Sequence, residues 1–182
     1  LLAHHCPQDP AAVLATLNRS IKQLLDQHLP NDDPHVSDDG MDALCCWLDP
    51  HVGILRYAGA QLPLWFSDGS SEELQQLNPD RMGVGYRATP INFQWNNHEL
   101  PLQPQLRCYA STDGLLDQIG QQKRVAFGKR RARETLAAAQ ALSFSDQLLC
   151  LKTRFHTHQG HEKRRDDVCV IGFSPHLIKD VM

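Results

Sequence analysis

Between residues 41 and 111 turn signals cut the chain into short apolar or alternating runs, and from residue 128 the spacing becomes helical. MDALCCWLD, VGILRYAG and QLPLWF, separated at Asp49-Pro50 and Gly59-Ala60, read as three antiparallel strands. The middle of SDGSSEELQQLNPD suits one helical turn, after which INFQWNNHEL and LRCYAS again have the length and residue types of strands. LRCYAS runs straight into Thr112-Asp113-Gly114. Gly128 to Leu142 is rich in Ala, Arg, Lys, Glu and Leu, and Ser145 to Phe155 repeats a helix-compatible spacing, so two helices follow in succession. After the polar stretch HTHQGHEKRRDD, the continuous apolar run VCVIGF suits a buried central strand. Strands followed by helices permit an α+β fold.

Ahead of these runs, Asp9-Pro10 forms an N-cap and first-turn pair for a helix from Ala11 to His28, with Val13, Leu14, Leu17, Ile21, Leu24 and Leu25 at helical spacing. NDDPHVSDDG is a polar loop. With 41% hydrophobic and 21% charged residues, 182 residues suit a single domain, residues 1–182, with a buried core. A formal charge of −3 gives no global attraction to nucleic acid. No run approaches the roughly 18 to 20 consecutive apolar residues of a spanning helix, and the start has no signal pattern. Six cysteines without CxxC spacing, several in apolar runs, read as reduced, buried thiols in a cytoplasmic setting. The chain opens on Leu1-Leu2 with its first helical pattern immediately behind, which reads as a fragment.

Two acidic positions stand at predicted strand ends. Asp113 closes a strand at a tight Gly turn, and Asp166-Asp167 immediately precede another strand. Mg2+ and Mn2+ prefer oxygen ligands, need few protein carboxylates and keep several waters, so acids converging from separate strands make a shared site. By themselves, Asp-Gly after a strand is also an ordinary turn, and paired acids before a strand are also an ordinary solvated loop. His156, His158 and His161, with His4, His5 and Cys6, fit no standard zinc spacing, and the first three read as a polar loop with exposed imidazoles. Lys123-Arg124, Lys129-Arg130-Arg131-Arg133 and Lys163-Arg164-Arg165 are basic patches without aromatic stacking partners. They read as solvated faces, or as cations that attract a phosphorylated protein. Cys45, Cys46 and Cys108 lie in apolar strand patterns without the phosphate-cradling loop of a thiolate phosphatase.

Four stretches carry a family resemblance: WLDPHVGILRYAGAQLPLWF, VGYRATP, LRCYASTDGLLDQIG and RRDDVCVIGF, with FGKRR placed before a long helix. Their order resembles the C-terminal two-thirds of a metal-dependent protein phosphatase (type 2C) domain, in its bacterial SpoIIE-like branch. The modules of membrane-anchored receptor phosphatases in aggregation and biofilm pathways are the most similar. The resemblance implies two packed antiparallel sheets flanked by helices, an α-β-β-α sandwich. It makes Asp113 one metal ligand and Asp166 another, with Asp167 where the family often has Asn or Asp. It implies two or more Mg2+ or Mn2+ ions that activate a water against phosphoserine or phosphothreonine. The implied substrate is a phosphorylated regulator of the STAS-domain type, and the implied setting a cytoplasmic domain, homodimeric, of a parent anchored in the inner membrane.

There are also departures. Gln103-Pro104-Gln105 stands where the family has Gly-Asp, and Gln61-Leu62 where it has His-Pro; both read as surface turns. The family's early Asp-Gly strand and Gly-His-Gly helix start have no counterpart, which predicts weak metal binding by this chain alone. Ser37-Asp38-Asp39-Gly40 reads as a turn, not a replacement. A catalytically silent module that grips a regulator is the alternative.

Overall fold

The computed structural model describes residues 8–27 and 38–175. In chain order the elements are α1 (Pro10–Leu24), β1 (Ala43–Asp49), β2 (Ile54–Ala60), β3 (Leu64–Ser67), β4 (Gln75–Leu77), β5 (His98–Pro101), β6 (Arg107–Ser111), α2 (Asp113–Asp117), α3 (Gly128–Ala138), α4 (Phe144–Gln159) and β7 (Val170–Phe173). The strands form two antiparallel sheets, ordered β1-β2-β5 and β4-β3-β6-β7, with helices beside them, so the fold is α+β. The chain divides into two compact units, one drawn from Leu1–Leu64 and Leu77–Leu102, the other from Trp65–Gln76 and Gln103–Met182.

In the first unit Asp9 caps α1 as its sequence predicts, its carboxylate accepting from the Ala12 N–H at 3.1 Å. The helix ends at Leu24, earlier than the apolar spacing suggests, and His28 lies outside the described residues. Ala11, Leu14 and Ala15 of α1 pack with Ala58, Ala60, Val84 and Trp95. Asn18, fully buried, donates to the Pro90 carbonyl at 3.0 Å and accepts from the Gly85 N–H at 2.9 Å, so a polar residue on the buried face is satisfied by loop backbone. Of the expected strand INFQWNNHEL only His98–Leu100, the first three residues of β5, is extended in a ladder. Its Trp95 is buried instead as a loop anchor, with Phe93 edge-on at 4.9 Å and its ring N–H donating to the Met82 carbonyl at 3.0 Å.

QLPLWF does not extend the first hairpin: β3 pairs with β6 of the second sheet, Trp65 opposite Tyr109. The segment expected to hold a helical turn, SEELQQL, supplies β4. The second unit's core gathers Trp65, Leu74, Tyr109, Leu115, Leu116, Phe127, Ala132, Leu136, Leu151 and Phe155. Burying each such large apolar side chain stabilises by roughly 1.5–3 kcal/mol. Both expected helices are present, α3 stopping at Ala138 and α4 running on to Gln159, where Gly160 at φ +59 takes a backbone turn that other residues resist. Ser143 caps α4 by accepting from the Asp146 N–H at 3.2 Å.

β7 differs from one expectation: among the described residues it pairs with β6 alone and stands at the edge of its sheet, not in its centre. Val168 and Val170 pack on the core while Cys169 and Ile171 face outward, so an apolar run conceals an ordinary two-residue alternation. The cysteines also divide: Cys108 is buried, Cys45 and Cys46 are half-buried, and Cys150 and Cys169 are exposed, against the expectation of buried thiols. Cys6 lies outside the described residues. Among the described residues no helix is long and apolar enough to cross a membrane.

Candidate metal centre

The acidic positions singled out by the sequence fall at one end of the β6/β7 pair, in the second unit. β6 and β7 run antiparallel with Ser111 opposite Val170, so the chain leaving β6 at Thr112 passes beside the chain entering β7 at Cys169. Thr112 N–H donates to the Cys169 carbonyl at 3.0 Å. Its hydroxyl accepts from the Cys169 N–H at 2.9 Å and donates to the Asp167 carbonyl at 2.9 Å. One threonine thus satisfies three backbone groups of the opposite segment, two of them through its hydroxyl, and fixes the register there.

Asp113 is not in a tight turn. It opens the five-residue helix α2, with Thr112 as N-cap. Leu115 and Leu116 anchor that helix in the core while Asp113 and Asp117 stay exposed. Gly114 is required by close approach: a Cβ on it would lie 2.4 Å from the Asp167 carbonyl oxygen and 3.2 Å from the Asp166 carbonyl carbon. The Thr-Asp-Gly triplet therefore divides its work: Thr112 clasps the opposite chain, Gly114 lets it pass, and Asp113 points its charge to solvent beside it.

Asp166 and Asp167 are exposed. The Asp166 Oδ1 accepts from the Asp167 N–H at 2.7 Å, which ties one carboxylate oxygen and orients the group. Val168 packs on the core cluster that holds Leu115 and Leu116, so both acidic segments rest on one apolar base. Among the described residues no three His, Cys, Asp or Glu side chains gather closely enough to hold a metal ion. The acids of this junction offer only hard oxygen donors, and Mg2+ or Mn2+ held by one or two carboxylates with its remaining positions hydrated fits that set.

The other metal-like features resolve differently. His158 has its Nε2 3.0 Å from the Val125 carbonyl and its ring 5.4 Å from Phe127, so it is a packing residue of α4. His4, His5 and Cys6 lie outside the described residues. Gln103 accepts from the Leu106 N–H at 3.0 Å and closes a turn, as expected, whereas Gln61, at φ +66, is no turn: it is bridged to Ala43 and its N–H donates to the Asp80 carbonyl at 2.9 Å. Thr112 carries no motif that marks this role in the sequence; its only signal there is a β-branched hydroxyl residue at the junction of strand and acid.

The sequence matches the family model for stage II sporulation protein E (SpoIIE) over residues 2–175. Among solved structures it is similar to the SiaA-PP2C domain of Pseudomonas aeruginosa, with 30% identity, a TM-score of 0.78, and coverage of 92% of this chain and 61% of that one. The chain thus spans about three-fifths of that relative's length. The fold is shared with the RsbU and RsbW domains of Rv1364c from Mycobacterium tuberculosis (16% identity, TM-score 0.59, 93% of this chain and 42% of that one). It is also shared with the S. agalactiae serine/threonine phosphatase (13% identity, TM-score 0.57, 90% and 69%). Comparison with curated proteins finds no match. The family match over nearly the whole chain and the SiaA-PP2C likeness together mean that this chain belongs to the SpoIIE family, whose members are in general Mg2+- or Mn2+-dependent serine/threonine phosphatases.

Proposed function

We propose that this chain supplies the Asp113 and Asp166 ligands, with Asp167 beside them, of a phosphatase that hydrolyses phosphoserine or phosphothreonine on a signalling protein. One observation carries the reading: Thr112 and Gly114 hold the backbone bearing Asp113 directly against the backbone bearing Asp166 and Asp167, from strands that are distant in sequence. The ions, when bound, supply an activated water and neutralise charge on the phosphoryl oxygens. The chain's residues bind and orient. Asp113 and Asp166 act as ligands only, and neither bonds to phosphorus. Thr112 keeps the two segments in register, and the Asp167 N–H fixes one Asp166 oxygen so that its orientation is set before an ion arrives. Exposure of all three carboxylates leaves room for a protein-borne phosphate to approach.

The family resemblance supports a phosphorylated STAS-type regulator as substrate, and a homodimeric parent at the inner membrane as the setting. The test is phosphate release from a phosphothreonine peptide by the parent protein with Mn2+. Asp113→Asn and Asp166→Asn are each expected to lower it at least on the order of 10- to 100-fold, the range for losing even a supporting group of a metal site. Unchanged release in both would remove the assignment.

A second reading, a phosphatase-fold module that grips its regulator without turnover, is favoured by the absence of a three-ligand cluster among the described residues. Mn2+-dependent release by the parent separates the two.

A further inference from the structure

Arg124, His161, Glu162, Lys163, Arg164 and Arg165 line a cleft of about 570 Å³ in the second unit. Both walls are fixed by hydrogen bonds, one by backbone pairs and the other by side-chain amides. Residues 119–126 close as a small hairpin, with Ile119 bridged to Ala126, the Gly120 N–H donating to the Val125 carbonyl and the Arg124 N–H to the Gly120 carbonyl, each at 3.0 Å. At its tip Arg124 sits at φ +46, a left-handed conformation that costs a non-glycine residue roughly 1–3 kcal/mol and that tends to collect where function selects it. The facing wall is pinned by two amides. Fully buried Gln118 donates to the Lys163 carbonyl at 3.0 Å, and the Gln121 Oε1 accepts from the His161 N–H at 2.9 Å.

Charge in this cleft is unbalanced. Arg124 pairs with Glu162 at 3.8 Å, but among the described residues Lys163, Arg164 and Arg165 form no ion pair. The Arg164 guanidinium lies 5.3 Å over the Phe155 ring, which holds it in place without neutralising it. In a chain of formal charge −3, one concave surface thus concentrates cations against a single acid. A cleft of one sign focuses its field on an incoming ligand, and guanidinium forks match carboxylates and phosphates geometrically. Arg165 immediately precedes Asp166, so the cleft begins one residue from the proposed metal ligand.

We propose that this cleft docks an acidic segment flanking the phosphorylated residue of the protein substrate, an inference that rests on the phosphatase reading above. Nucleic acid suits it less well: no Phe, Tyr or Trp lines the cleft to stack a base.

The probes are two phosphothreonine peptides that differ only in flanks, Asp and Glu in one, Asn and Gln in the other. Fluorescence anisotropy with this chain is expected to give about tenfold tighter binding of the acidic peptide at low salt, a gap that closes at high salt. The paired substitution Arg124→Glu with Arg164→Glu should abolish that preference, and a lysine-flanked peptide should gain affinity for the double variant, a swap that misfolding cannot produce. Equal binding of both peptides, or displacement by a single-stranded oligonucleotide as readily as by the acidic peptide, overturns the proposal. With the parent, equal turnover of both peptides sinks the docking cleft and leaves the phosphatase reading standing. Retained acidic preference with no turnover of either sinks the phosphatase reading and leaves the cleft as a binding site for acidic segments.

Discussion

The Thr112 hydroxyl donates to the Asp167 carbonyl at 2.9 Å while accepting from the Cys169 N–H at the same distance, so one side chain locks the strand exit bearing Asp113 to the strand entry bearing Asp166 and Asp167. Thr112→Val keeps the shape and removes both bonds. It is expected to destabilise the protein by about 1–3 kcal/mol, the net contribution of two ordinary hydrogen bonds in a solvent-accessible site, and to weaken Mn2+ binding, while Thr112→Ser keeps both properties. Urea denaturation and a Mn2+ titration on the three proteins check this.

Gly114→Ala places a methyl 2.4 Å from a backbone oxygen, which no rotamer change can relieve. The α2 start must then move away from Asp167. The expected result is a loss of about 1–3 kcal/mol, as for overpacking elsewhere, with weaker Mn2+ binding in the protein that still folds. Gly53, whose added Cβ would meet nothing within 4 Å but whose φ is +79, separates backbone strain from crowding: Gly53→Ala should lower stability without touching Mn2+ affinity.

Gln147, fully buried, accepts from the Tyr109 hydroxyl at 2.8 Å and donates to the Ala139 carbonyl at 3.1 Å. Tyr109→Phe strands the Gln147 oxygen in the core, and a loss of roughly 1–3 kcal/mol is expected from the unsatisfied acceptor. Adding Gln147→Leu should lower stability further in thermal unfolding, because it also takes the donor away from the Ala139, Gln140 and Leu142 carbonyls.

Burial pushes the Cys46 thiol up from 9.0 to about 12, with the Cys45 thiol adding to the shift; Cys45, Tyr57 and Tyr109 are raised by burial as well. These groups are neutral when protonated, so the folded state holds their protons more tightly than the unfolded chain. Their contribution is complete below pH 9 and is lost as pH rises from 9 towards 12. Urea midpoints should therefore fall across that interval, and Cys46 should resist iodoacetamide below it while exposed Cys150 and Cys169 react. A flat midpoint would contradict the burial.

Much of this was legible in the sequence where a residue's local chemistry matches its role. Asp9-Pro10 signals a capped helix because the cap is satisfied within four residues, and Thr112-Asp113-Gly114 and Arg165-Asp166-Asp167 mark the two acid-bearing junctions. What stayed hidden depends on partners far along the chain. Nothing in LPLWF says that Trp65 will pair across from Tyr109 and not beside β2. INFQWNN has strand-type residues whose side chains serve a loop: Asn96 bonds both oxygens of Asp80, and Asn97 accepts from the Ala11 N–H at the start of α1. VCVIGF looks buried throughout, yet an edge strand needs only every second residue inward. In the candidate centre the acids were readable, whereas the clasp that joins them was not, because a hydroxyl bridging to residues 55 and 57 positions away leaves no local pattern.

Calorimetric Mn2+ titration of the wild type, Asp113→Asn, Asp166→Asn and the double variant asks whether these two carboxylates serve one ion centre. A shared centre predicts that each single change weakens binding and that the double change adds less than the sum, with a coupling of about 0.5–3 kcal/mol as for groups that act on one partner. Strictly additive losses, or singles that bind as the wild type does, would contradict it.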